Sequence, residues 1–92
     1  MSLSLDEYRT KLINKILLAG SQDEVKRFID AAIKALEQNK VNGHIVGRFV
    51  DKITSEIDLF NPIDKNAQQW SNIKIAKIQL FRVKKKLESA VI

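Results

Sequence analysis

The sequence predicts an all-α fold, a single-domain four-helix bundle, up-and-down or orthogonal, in which the fourth helix is the longest. Three observations carry this expectation. Apolar residues recur at helical spacing along four segments. Each segment opens on a residue that caps a helix start or follows a chain breaker. No stretch shows the period-two alternation of a half-buried strand. Ninety-two residues, 45% hydrophobic and 29% charged, suit one folded domain rather than a disordered chain.

The first helix is expected over 5–19. Ser4 followed by Glu7 forms a capping box, in which the hydroxyl accepts from the amide three residues on and the acid reaches back. Leu5, Tyr8, Leu12, Ile16 and Ala19 define one apolar face, with Leu17 and Leu18 flanking it. Gly20, free to adopt positive φ, is expected to end the helix. Ser21 and Glu24 then repeat the capping box at once, so the second helix must fold back against the first.

The second helix is expected over 22–39, with Val25, Phe28, Ile29, Ala32, Ile33 and Leu36 as its stripe. Asn42-Gly43 is a strong breaker, and Asn42 also suits the cap of a third helix over 44–60. Val46, Phe49, Val50, Ile53, Ile57 and Phe60 follow a 3-4-3-4 rhythm along it. Gly47 interrupts that helix at a cost of roughly 1 kcal/mol relative to alanine, which predicts close approach of another helix. Asn61-Pro62 marks the last boundary, with Asn61 as cap, Pro62 at the first helical position and Asp64 in the first turn. Asn66 with Gln69 is a second candidate cap within the same segment. The fourth helix is expected over 62–89.

Composition argues against several classes of chemistry. With no cysteine there is neither a disulfide framework nor a thiolate metal site, which fits a reducing compartment. No segment reaches the roughly 18 apolar residues of a membrane span. The acidic start, Asp6 and Glu7, does not read as a signal peptide, and a cytoplasmic location is the expectation. His44 is the only histidine, and there is no Glu-x-x-His pair of the kind that di-iron bundles use. The carboxylates sit in first helical turns or off the apolar faces, the serines and threonines have no histidine partner, and the three glycines lack phosphate-loop spacing. No cofactor, no metal and no catalytic residue is therefore expected, and the reading is of a non-enzymatic protein.

What remains distinctive is the fourth helix. Residues 1–60 hold nine Lys/Arg and nine Asp/Glu, whereas residues 61–92 hold seven Lys/Arg against Asp64 and Glu88. The whole net charge of +5 thus lies in the last segment. Lys74, Lys77, Arg82, Lys84, Lys85 and Lys86 are the candidate contacts to an anion or nucleic acid. The same helix is apolar on more than one side. Ile73, Ala76, Leu80, Val83 and Leu87 form one stripe, Ile75 and Ile78 lie well away from it, and Trp70 and Phe81 fall between. Such a helix is either central in its bundle or covered by a partner. Trp70, Ile75, Ile78 and Phe81 are accordingly the candidate interface.

Three functions follow as expectations. The leading one is a protein-interaction module that self-associates as a homodimer, or binds an acidic protein partner, through the fourth helix. The second is a nucleic-acid-binding protein using that helix's basic face. The third is a bacteriocin-immunity-type protein: the chain resembles those basic four-helix proteins in size and charge alone, with no shared motif.

Overall fold

The computed structural model describes residues 4–90, and these form four α-helices and one 3₁₀ turn: α1 (Leu5–Leu18), α2 (Gln22–Gln38), α3 (Gly43–Asp58), the 3₁₀ turn Pro62–Asp64, and α4 (Ala67–Ala90). Among the described residues there is no strand. The four-helix bundle predicted from periodicity is what forms, and α4 is its longest helix. At about 1.5 Å per residue its 24 residues run about 36 Å, nearly the 38 Å long dimension of the molecule.

The apolar stripes meet in one core. Leu12, Ile16 and Ala19 of the first segment, Val25, Ile29, Ala32, Ile33 and Leu36 of α2, Val46, Phe49, Val50, Ile53 and Ile57 of α3, and Ile73, Ala76, Leu80 and Val83 of α4 are all buried. Ile13, which the expected stripe of α1 leaves out, is buried as well. Tyr8, Phe28, Phe60, Trp70 and Leu87 pack against this core at its margin. Tyr8 stacks on Phe49 with ring centroids 5.8 Å apart, joining α1 to α3. Arg9 adds a polar clasp between the same helices, donating from Nε to Glu56 at 2.6 Å and from Nη1 to Asp6 at 2.7 Å. The Arg9 hydrogen bond and charge, with a smaller contribution from Lys52, hold the Asp6 carboxyl below its ordinary range.

α4 packs against all three other helices, whereas α2 and α3 touch each other least. Its cross-links fix the geometry. Lys77 pairs with Asp58 at 2.8 Å and Lys84 with Asp51 at 2.9 Å. As numbers rise along α4 they fall along α3, so these two helices are antiparallel. On the other flank Gln79 donates to Asp30 of α2 at 2.7 Å.

Four helix ends differ from expectation or complete it. α1 stops without help from glycine: Ala19 turns to extended backbone (φ −63°, ψ 141°), and no glycine among the described residues has positive φ. Its terminal carbonyls are instead met from across the bundle, as described below. The second capping box is displaced by one residue. Ser21 accepts from the Glu24 amide, but the Glu24 carboxylate accepts from the Gly20 amide at 3.0 Å.

α2 ends in a Schellman motif: Lys40 N–H donates to Glu37 O at 3.0 Å and Val41 N–H to Leu36 O at 3.1 Å. The left-handed position of that motif falls on Lys40 (φ 59°) and not on Gly43. Its register is set by Val41 packing onto the core beside the buried Leu36.

The fourth helix begins later than the proline implies. Asn61 does accept from the Ile63 amide at 3.0 Å, and Pro62 does open a helical turn, but that turn is 3₁₀ and Lys65 leaves it in extended conformation. α4 starts instead from Asn66. Its side chain accepts from the Gln69 amide at 2.8 Å while the Gln69 side chain accepts from the Asn66 amide at 3.2 Å. This is a capping box with both halves made.

Candidate interaction surface on the fourth helix

The site follows from how α4 divides its circumference. At about 100° per residue the buried stripe Ile73, Ala76, Leu80 and Val83 defines the inward direction. Gln79, bonded to α2, and Lys77 and Lys84, bonded to α3, lie on opposite shoulders. Ile78 points about 180° from the stripe, directly outward.

The four candidate interface residues are therefore split. Trp70 and Ile75 are half-buried and pack on the core, so part of their surface is taken up by the fold. Ile75 sits one turn before Gln79 on the shoulder that α2 covers, and a helix lying among three neighbours needs apolar groups across a wide arc. Ile78 and Phe81 stay outside, 51% and 64% exposed. They are three residues apart, one turn of the helix, and form an apolar step on its outer face.

The six basic residues divide as well. Lys77 and Lys84 are ion-paired to Asp58 and Asp51 of α3. The Lys84 chain also crosses Gly47: a Cβ built on that glycine would lie 3.4 Å from Nζ. The close approach expected at Gly47 is thus made by a flexible lysine tip. Lys74, Arg82, Lys85 and Lys86 are exposed and, among the described residues, make no ion pair. Lys85 holds its ammonium 5.5 Å from the centroid of the Phe81 ring, a cation–π contact that leaves the charge facing water. The outer face of α4 thus carries an apolar pair with four exposed cations around it that make no ion pair among the described residues.

Asn72, on the inner side of the same helix, has a structural task. Asn72 is fully buried, and its Nδ2 donates to the carbonyls of Ile16 at 3.0 Å and Ala19 at 2.8 Å. Its Oδ1 accepts from Gln68 at 2.9 Å. One side-chain amide thereby caps the C-terminus of α1 from α4, where glycine was expected to do so. Sequence periodicity offered one signal, an asparagine bordering an apolar stripe, but not its partners 53 and 56 residues away.

Elsewhere the surface offers little chemistry. A cleft at the start of α3 is lined by Asn42, His44, Ile45, Arg48, Asp51 and Lys84, and its carboxylate is already paired to its lysine. Among the described residues no three His, Cys, Asp or Glu side chains gather as metal ligands, and no helix is long and apolar enough to cross a membrane. Leu18, Leu59 and Ile63 are more exposed than Ile78. They lie at helix ends and in the 3₁₀ turn, without the repeating spacing that makes a seam. No protein-family model, curated protein or solved structure matches this chain.

Proposed function

We propose that this protein is a non-enzymatic interaction module whose contact element is the outward face of α4, centred on Ile78 and Phe81. The observation that carries the reading is the coincidence of two exposed large apolar side chains, one turn apart, with four exposed cations that make no ion pair among the described residues. Interface centres are apolar and aromatic, and their rims are polar. Burial of the apolar pair would supply affinity, and the cations orientation and encounter rate.

The test is site-specific photocrosslinking in cells that produce the protein, with the photoreactive residue at position 78 and, as control, at the exposed Lys34 on α2. A discrete product from position 78 alone supports the reading. No product, or the same products from both positions, removes it.

A second reading, nucleic-acid binding, is favoured by the free cations Lys74, Arg82, Lys85 and Lys86 together with the exposed ring of Phe81, on which a base could stack. It predicts a mobility shift at low salt that is lost in Lys85→Glu/Lys86→Glu. No shift at low salt ends it.

A further inference from the structure

The outer face of α4 has a periodicity of its own. Ser71, Lys74, Ile78, Phe81 and Lys85 follow one another at intervals of three, four, three and four residues. That is the spacing of the a and d positions of a coiled-coil seam, and all five lie on the side of the helix away from the core. Ile78 and Phe81 occupy its middle. Lys74 and Lys85 lie on either side of that pair along the seam, about 16 Å apart along the helix axis, with Ser71 one step beyond Lys74, and Arg82 flanks it. The side chains that would sit on the other flank, Lys77 and Lys84, are already tied to Asp58 and Asp51.

We infer that the occupant of this face is an acidic amphipathic helix of a partner protein, laid along the Lys74–Lys85 seam. The inference rests on the interaction reading above and adds the chemistry of the partner. A helix is the shape that fills a 3-4 seam over three turns. Carboxylates at both ends of its apolar patch would complement Lys74 and Lys85, which bracket Ile78 and Phe81. Charge disfavours the simplest alternative, α4-to-α4 pairing of two copies of this chain. Parallel pairing sets Lys74 against Lys74 and Lys85 against Lys85, and antiparallel pairing centred between Ile78 and Phe81 sets Lys74 against Lys85. Either way like charges meet where the seam closes. A nucleic acid would satisfy the cations and could stack a base on Phe81, yet it offers no apolar counterpart to Ile78.

The probe is a synthetic helical peptide of about three heptads, with leucines at the central a and d positions and glutamates at the flanking ones. A companion peptide carries lysine at every glutamate. Fluorescence anisotropy of the labelled peptides is measured against the full chain at low and at high salt. The acidic peptide is expected to bind and the basic one not to. Ile78→Ser and, separately, the pair Lys74→Glu/Lys85→Glu should each weaken binding about tenfold or more, the charge-reversed pair losing its salt dependence as well. All these positions are exposed, and unchanged thermal melts establish that the variants are folded.

Equal binding of the two peptides, no binding of the acidic one, or indifference to Ile78→Ser overturns the inference. So does a position-78 crosslink that proves to join two copies of this chain or to reach a nucleic acid. A crosslink to a different protein alongside a silent acidic peptide leaves the α4 reading standing and removes only the acidic helix.

Discussion

Replacing Asn72 tests the least expected joint of the fold. The side chain is 0% exposed, donates to two carbonyls of the α1 terminus and accepts from Gln68. Truncation in Asn72→Ala removes all three bonds and leaves a small void. The Ile16 carbonyl keeps the Ala19 amide at 3.3 Å, so the larger loss falls on the buried end of α1 around Ala19. An orphaned buried carbonyl costs about 1–3 kcal/mol and each lost neutral hydrogen bond about 1 kcal/mol, which gives a destabilisation of about 2–4 kcal/mol. Asn72→Asp is the sharper probe because it keeps shape and volume while exchanging the donor for an acceptor. At neutral pH it sets a carboxylate against two carbonyls at the negative end of the α1 dipole, and should cost more than the alanine variant. The introduced carboxyl is buried among acceptors, so its folded-state pKa is raised. Its protonated form is the one the fold tolerates, and the deficit should therefore shrink as pH falls through that raised value and grow as pH rises. Urea titrations followed by helical circular dichroism at two pH values read both effects. An aspartate variant within about 0.5 kcal/mol of the wild type at neutral pH would refute the assignment of Asn72 as the cap of α1.

Three further substitutions test the end of α2, the helical interior of α3 and the two faces of α4. Lys40 holds the left-handed position of the α2 Schellman motif, so Lys40→Gly should stabilise by about 1 kcal/mol and raise the melting temperature by about 4–8 °C; a calorimetric scan with no increase would show that the position is unstrained. Gly47→Ala places a methyl group 3.4 Å from the ammonium tip of Lys84 and should gain up to about 1 kcal/mol of helix propensity, read in the same urea titrations; a net loss would mean that Lys84, held by Asp51, cannot yield. Ile78→Ser should leave stability within about 0.5 kcal/mol while Leu80→Ala costs about 2–5 kcal/mol. Equal losses at the two positions would contradict the division of α4 into inner and outer faces.

Much of the fold was legible because caps and periodicity are local. Ser4, Ser21, Asn42 and Asn66 all accept the amide hydrogen bonds their positions imply, and the stripes of α2 and α3 are buried almost residue for residue. The misreadings lie where two local solutions compete or where the partner is remote. Asn61-Pro62 and Asn66 are both sound helix starts; the extended backbone at Lys65 turns the first into a single 3₁₀ turn, and nothing near Lys65 in the sequence announces it. Gly20 and Gly43 are the residues best suited to positive φ, yet the chain places that strain on Lys40, because the pairing of Val41 with the core fixes where α2 must end. Of the candidate site, the outward direction of Ile78 and Phe81 could be read from the helical angle alone. That Ile75 is covered could not, since it depends on which shoulder of α4 meets α2.

The asymmetry in charge now has a physical division behind it. α4 lies against all three other helices, so it needs a wide apolar arc, and Trp70 and Ile75 are the cost of that central place and not surplus. Its position also puts two of its lysines beside Asp51 and Asp58 of a helix running the opposite way, where exposed ion pairs fix register more than they add stability. Subtracting these structural uses leaves Lys74, Ile78, Phe81, Arg82, Lys85 and Lys86 exposed and, apart from the Lys85–Phe81 cation–π contact, without an ion pair or side-chain hydrogen bond among the described residues. An isolated exposed isoleucine is ordinary on any protein surface, and so is an unpaired lysine. Two apolar groups at a and d spacing, bracketed at both ends by cations on the same seam, are less easily produced by solvation alone, which asks only that the outer face of a helix be polar. The residues left outside these uses are the ones that form a pattern, and that pattern has the dimensions of another helix.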